Sequence, residues 1–332
     1  MTDPLQTLRS HFPVARQWIY ANHAAVAPLS TPVANAMTAF VRDATEHGSA
    51  NWRTWLEHRE HARALAARLL NVVPLEIAFT TSTSQGLINV AEGIDWAQGD
   101  EILVIHHDFP ANQIPWFRQE RHGARVVVVP RDERGRVDPE AVLERVTERT
   151  RVLALPWVLY DNGFRLDLEA IGRGLGDHPA WFCVDAIQGL GAFPLDVHAA
   201  RIDTLSADSH KWMLGLEGIG LFWCRQERLP QLDGPLVSWT SLEQPFAPYE
   251  PGAALRQDAR KHEYATLGAV GVYAMEACLE LLLSTGLEPM AARILELTDQ
   301  LAAGLEQRGW RLLSPRGPHA ECSGLVTAVP PS

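Results

Sequence analysis

Lysine is nearly absent from this chain of 332 residues. Of its 29 basic side chains, 27 are Arg and only Lys211 and Lys261 are Lys. Arg can neither form a Schiff base nor release its proton, whereas Lys does both, so a Lys kept in such a chain marks a place that needs an amine or a chance survival. Excess positive charge is missing too. A net charge of −11 argues against a nucleic-acid partner, which selects a basic face. No run of about 18 apolar residues occurs, so no membrane-crossing helix is expected. Residues 1–10 lack the basic stretch and apolar core of a secretory leader. The four Cys (Cys183, Cys224, Cys278, Cys322) are far apart and make no C-x-x-C pair, which disfavours a zinc or dithiol motif. They read as buried free thiols of a cytoplasmic protein. The dinucleotide, P-loop, nucleophile-elbow and H-E-x-x-H motifs are all absent. The 13 His are scattered. His106 and His107, adjacent on a strand, point to opposite faces, while His58 and His61 share one face of a polar helix and read as solvated. No metal set is expected.

What remains is an ordinary globular composition, 46% hydrophobic and 21% charged, which excludes disorder and fibrous classes. Short apolar runs predict strands at 76–80, 101–105, 125–129, 151–155, 181–184, 204–207 and 219–223. Several are apolar throughout, as strands covered on both faces are. Helical patterns at 84–96, 111–122, 139–147 and 168–176 lie between them, and others precede the sheet at 32–47 and 52–70. This alternation predicts an α/β layered domain with a mostly parallel sheet. After a Pro- and aromatic-rich loop at 229–251, helices at 266–284 and 288–308 and strands at 310–313 and 324–329 suggest a smaller α+β unit.

Candidate chemistry gathers at strand ends, where α/β sheets carry their sites. Lys211 follows the strand Leu205-Ser-Ala-Asp and the residues Ser209-His210. A surface Lys is the plain alternative, but its rarity and this polar cluster favour a reactive amine. Asp185 ends another strand and reads equally as the partner of a buried cation or as a helix cap. Thr80-Thr-Ser-Thr-Ser-Gln-Gly86 opens a helix and suits either an anion site or simple capping. Phe109, after the second strand, can cover a planar ring or fill the core.

The order of these pieces, a phosphate-type turn, an aromatic, a strand-end Asp with Gln188 three residues on, then Ser-His-Lys, resembles the class V aminotransferases. These are fold type I pyridoxal-phosphate (PLP) enzymes and include cysteine desulfurases, isopenicillin N epimerase-like proteins and kynureninases. The similarity runs from Tyr20-Ala-Asn-His-Ala-Ala-Val-Ala-Pro28 to about Thr327. It implies a large PLP-binding domain over 20–255 with a mostly parallel seven-stranded sheet. It also implies a small α+β domain from 1–19 and 256–332 that is C-terminally short beside the family. By resemblance, Lys211 carries PLP as a Schiff base, Asp185 pairs with the pyridinium nitrogen, Gln188 with the ring hydroxyl, and Phe109 stacks on the ring. Thr83, Ser84, Asp208 and His210 match phosphate-side positions. Thr266 matches a residue reaching the neighbouring subunit's phosphate, which implies a homodimer with shared active sites. Asn22 and His23 lie in the substrate-side opening. Trp157 stands where desulfurases usually have Asn, and Cys322 does not match their catalytic Cys. The expected activity is transamination or epimerisation of a small amino acid or amine. The alternatives are a cysteine desulfurase or kynureninase-like Cβ-lyase, and a non-catalytic PLP-binding protein.

Overall fold

The computed structural model describes residues 3–331; the outermost positions of the expected small domain, 1, 2 and 332, lie outside the described residues. Seven strands form the main sheet: β1 (Ile77–Thr80), β2 (Glu101–Ile105), β3 (Arg125–Val129), β4 (Thr150–Pro156), β5 (Trp181–Asp185), β6 (Thr204–Asp208) and β7 (Gly220–Cys224). Their spatial order is β1-β7-β6-β5-β4-β2-β3. All neighbours are parallel except that β7 runs antiparallel to both β6 and β1. The mostly parallel seven-stranded sheet expected from the sequence is therefore present.

Alternate residues of each strand enter opposite layers, as the two-residue period of a strand requires. Leu153 and Leu155 of β4 face one core with Phe182, Val184, Leu205 and Leu221. Val152 and Ala154 face the other, with Trp181, Cys183 and Phe222. The sheet is covered on both sides, which is why its central strands read as unbroken apolar runs.

The helices are α1 (Pro4–Ser10), α2 (Thr31–His47), α3 (Trp52–Leu70), α4 (Thr83–Gly93), α5 (Ile114–Phe117), α6 (Pro139–Leu143), α7 (Leu168–Leu175), α8 (Ala269–Thr285) and α9 (Leu287–Glu306). Their starts follow capping chemistry: Ser30, Ser82, Asp138 and Asp167 each accept a backbone N–H from the first turn. The helix expected over 111–122 is instead broken into a 3-10 turn at Pro110–Asn112, the short α5, and a second 3-10 stretch at Arg118–His122. Pro110 and Pro115 are responsible, because each lacks the N–H that a continuous helix needs and fits only a first turn. The terminal strands shrink to two residues each, β8 (Arg311–Leu312) and β9 (Ala328–Val329), paired antiparallel.

The segment after the long loop is fastened to the sheet by a buried ion pair. Arg63 of α3 donates to both carboxylate oxygens of Glu263, at 2.6 and 3.2 Å, and to the Ile77 carbonyl. Glu263 in turn accepts the Phe79 N–H of β1. Among the described residues no single helix is long and apolar enough to cross a membrane.

Candidate active site

The carboxyl ends of β2, β4, β5 and β6 surround a cavity of about 190 Å³. Its lining includes Thr83, Ser84, Phe109, Asp185, Gln188, Asp208, His210 and Lys211, which are eight of the positions singled out from the sequence. Asn22, His23 and Thr266 lie outside that lining. Asn22 and Thr266 are exposed, while His23 stacks on Trp212 with ring centroids 5.5 Å apart.

Lys211 sits in the connection between β6 and β7. That loop is closed on itself: Ser209 N–H donates to Ile219, Gly215 N–H to Ser209, and the Ser209 hydroxyl to the Leu216 carbonyl. Leu214 adopts a left-handed conformation (φ 62°), a backbone cost the surrounding hydrogen bonds hold in place. The Lys211 ammonium lies 5.9 Å from the centre of the Phe109 ring. Burial lowers its pKa, and the charges of Asp185 and Asp208 oppose that shift. An amine so placed is closer to its nucleophilic, neutral form than a surface Lys.

Asp185 is buried at the end of β5 and accepts the Ile187 N–H at 3.0 Å. Burial raises its pKa to about 6, while Lys211 pulls it down. The helix-cap reading fails, because the residues after it form turns rather than a helix. Gln188 holds its amide between two anchors, donating to the Ala24 carbonyl and accepting from the Trp212 indole. Through these bonds, and through Ala27 N–H to the His210 carbonyl, the chain around residue 24 is laid beside the cavity.

On the opposite wall, α4 points its N-terminus inward, with Ser82 as cap and Thr83 and Ser84 in the first turn. Gly86 lets this helix lie against β6: a Cβ there would stand 2.9 Å from the Ser206 Cβ. The Thr83 hydroxyl accepts the Asp208 N–H at 2.8 Å. Nearby, His210 Nδ1 and Asp208 Oδ1 are 3.1 Å apart without hydrogen-bonding alignment, and each is buried with no partner. A buried polar atom left unpaired costs about 1–3 kcal/mol. A helix N-terminus beside an orphaned imidazole is a donor set for an anion. The residues present therefore fit a phosphate at one end of the cavity and a cationic ring nitrogen at the other.

Among the lining residues without an assigned role in the sequence are Asp108 and Tyr160. Asp108 follows β2, buried, and receives hydrogen bonds from Phe109 N–H and the Asn112 amide. Burial and the nearby Asp185 charge push its pKa up to about 7. Asp185 ends its strand, but Asp108 lies three residues past β2, behind His106 and His107, so no strand-end pattern marked it. Tyr160 meets Phe109 edge-on, with ring centroids 5.3 Å apart, and follows β4 at the same carboxyl end of the sheet.

The aminotransferase class-V family model matches residues 19–328. A probable cysteine desulfurase from Methanothermobacter thermautotrophicus is 29% identical over 302 residues, covering 90% of this chain and 75% of the relative. The apo cysteine desulfurase of Thermococcus onnurineus superposes over the whole chain and 83% of its own length, with a TM-score of 0.90 at 23% identity. A C-DES mutant with glycine covalently linked to its PLP cofactor superposes over 94% of this chain and 83% of its own, with a TM-score of 0.85 at 24% identity. The match across nearly the whole chain, on a sheet of the same fold, decides the question: this chain belongs to the aminotransferase class-V family of PLP-dependent fold type I enzymes.

Proposed function

We propose that this chain holds PLP on Lys211 and cleaves the Cβ–S bond of a sulfur-containing amino acid, with cysteine as the reference substrate. The observation that carries the reading is the single cavity shared by the Lys211 amine, the buried Asp185 and the inward N-terminus of α4. The sulfur substrate is supported by relatives named as cysteine desulfurases, which favour chemistry at Cβ over the transamination or epimerisation expected from the sequence.

PLP, when bound, supplies an electron sink for bonds broken next to the substrate nitrogen. Lys211 would anchor it, and the same amine would move a proton at the substrate's Cα. Asp185 holds positive charge on the ring nitrogen, and Phe109 covers the ring face. Gln188 stands within the lining to meet the ring hydroxyl. Thr83, Ser84 and His210 bind the phosphate. Together they keep the cofactor still while only the substrate moves. Asn22 and His23 lie at the substrate side. Thr266, exposed and outside its own chain's cavity, serves the phosphate of a second copy in a homodimer. The exposed Val237, Phe246 and Tyr249 of the long loop offer that contact an apolar surface.

Purified protein loaded with PLP is expected to show a near-visible absorption band that borohydride fixes to Lys211, and Lys211→Ala to lack it. Cysteine is then expected to yield either sulfide with pyruvate and ammonia, or alanine with the sulfur transferred to an acceptor thiol as a persulfide. A loaded enzyme that exchanges amino groups with keto acids and releases no sulfur from cysteine refutes the Cβ reading and leaves transamination. Light scattering of the same sample tests the homodimer.

A further inference from the structure

The face shared by His58 and His61, which the sequence presents as solvated, is not free. Both imidazoles use Nδ1 to meet one carboxylate, that of Glu276 on α8, His61 at 2.6 Å. Glu280 stands one turn further along α8, and the ligand atoms of His61, Glu276 and Glu280 all lie within 4.8 Å of one another. Glu276 is largely covered, its side chain 13% exposed, yet neither it nor Glu280 is paired with an Arg or Lys among the described residues. Two carboxylates with no Arg or Lys partner thus meet two imidazoles across a helix–helix contact, a set of nitrogen and oxygen donors. The spacing is built into the helices: positions i and i+3 on α3 and i and i+4 on α8 each share a face.

We propose that His61, Glu276 and Glu280, with His58 beside them, bind a divalent transition-metal ion such as Zn²⁺ at the α3–α8 contact. Imidazole and carboxylate together suit Zn²⁺ and its neighbours better than Mg²⁺ or Ca²⁺, which prefer all-oxygen sites. Around a tetrahedral zinc the ligand atoms stand roughly 3.3 Å apart, so the His61–Glu276 contact opens only slightly to admit the ion. Binding needs the Nδ1 lone pair, so in the metal-bound form the imidazole proton of His61 resides on Nε2. The exposed sides of His61 and Glu280 leave the remaining coordination position to water. The site joins two helices that sequence places more than two hundred residues apart, so an ion there clamps α8 to α3.

The test is Zn²⁺ titration by calorimetry of untagged, PLP-loaded protein without substrate, with thermal melting alongside. One ion per chain at this site and a raised melting temperature are expected. Loss of outer-shell partners alone weakens metal sites 10–100-fold, so His61→Ala and Glu280→Gln are each expected to cost about tenfold or more. Both changes lie on exposed side chains, and an unaltered cofactor spectrum and melting temperature without zinc show that the fold is intact. No binding by the unaltered protein, or the same affinity and stoichiometry in the His61→Ala/Glu280→Gln double variant, overturns the proposal.

Discussion

Asp185 lies across from Ser206 in the parallel pairing of β5 with β6, and that register delivers its carboxylate to the cavity reached by Lys211 just beyond the end of β6. The acid is thus positioned by the sheet itself, and the amine by a loop anchored to the next strand.

Replacing Asp185 with Asn keeps the shape and removes the charge. The turnover number of the PLP-loaded enzyme is expected to fall on the order of 10²–10³-fold, the scale for losing one preorganised electrostatic contact. Steady-state kinetics with cysteine reads this directly. An unchanged kcat denies Asp185 its role at the ring nitrogen.

Asp108 and Asp185 hold their protons up to about pH 7 and 6 in the folded chain, against an ordinary value of 3.8. Between about pH 4 and 7 the folded state therefore binds more protons than the unfolded state, and the stability of the cofactor-free protein declines as pH rises through that window. Asp108→Asn is expected to flatten the decline and to stabilise the protein at pH 8 by a few kcal/mol, on the order of what about three units of pKa represent. Urea midpoints at pH 5 and pH 8 check this. Equal pH slopes in the two proteins count against it.

Gly86→Ala forces a methyl group into Ser206, so α4 must retreat from β6. About 1–3 kcal/mol of stability is expected to go, as for other overpacked contacts. PLP affinity is expected to fall with it, because Thr83 and Ser84 ride on the first turn of the same helix. Paired denaturation and PLP titration measure both effects, and a loss of stability with PLP affinity intact separates the helix from phosphate binding.

Arg63→Met strips Glu263 of its partner in the buried ion pair and is expected to cost about 3–5 kcal/mol. Adding Glu263→Leu removes the stranded charge, and much of the loss is expected to return. A double variant no better than the single one assigns the cost to the Arg63 guanidinium over the Phe79 ring instead.

The sheet was readable because its strands are covered on both faces and so spell apolar runs, as in Ile102-Leu-Val-Ile105. The break at 111–122 was harder, since the apolar spacing there looks helical and Pro110 and Pro115 override it. Lys211 and Asp185 declared themselves through scarcity and position. Asp108 and Tyr160 did not, because only folding shows that the ends of β2 and β4 open into the same space as those of β5 and β6. His61 is exposed, as the sequence suggested, but the contact that it and His58 make was hidden for a similar reason. Their partner, Glu276, lies on a distant helix, and no local pattern announces a contact of that range.

The loop that carries Lys211 joins β6 to β7, and both are interior strands of the sheet. It is therefore tethered at each end to a strand hydrogen-bonded on two sides. Displacing the amine's backbone requires unzipping the middle of the sheet, where opening costs most. Amide protons around Ser209 and Gly215 should exchange about as slowly as those of the strands themselves. In such an arrangement any movement of Lys211 is confined to its side chain, on a backbone pivot held by the sheet.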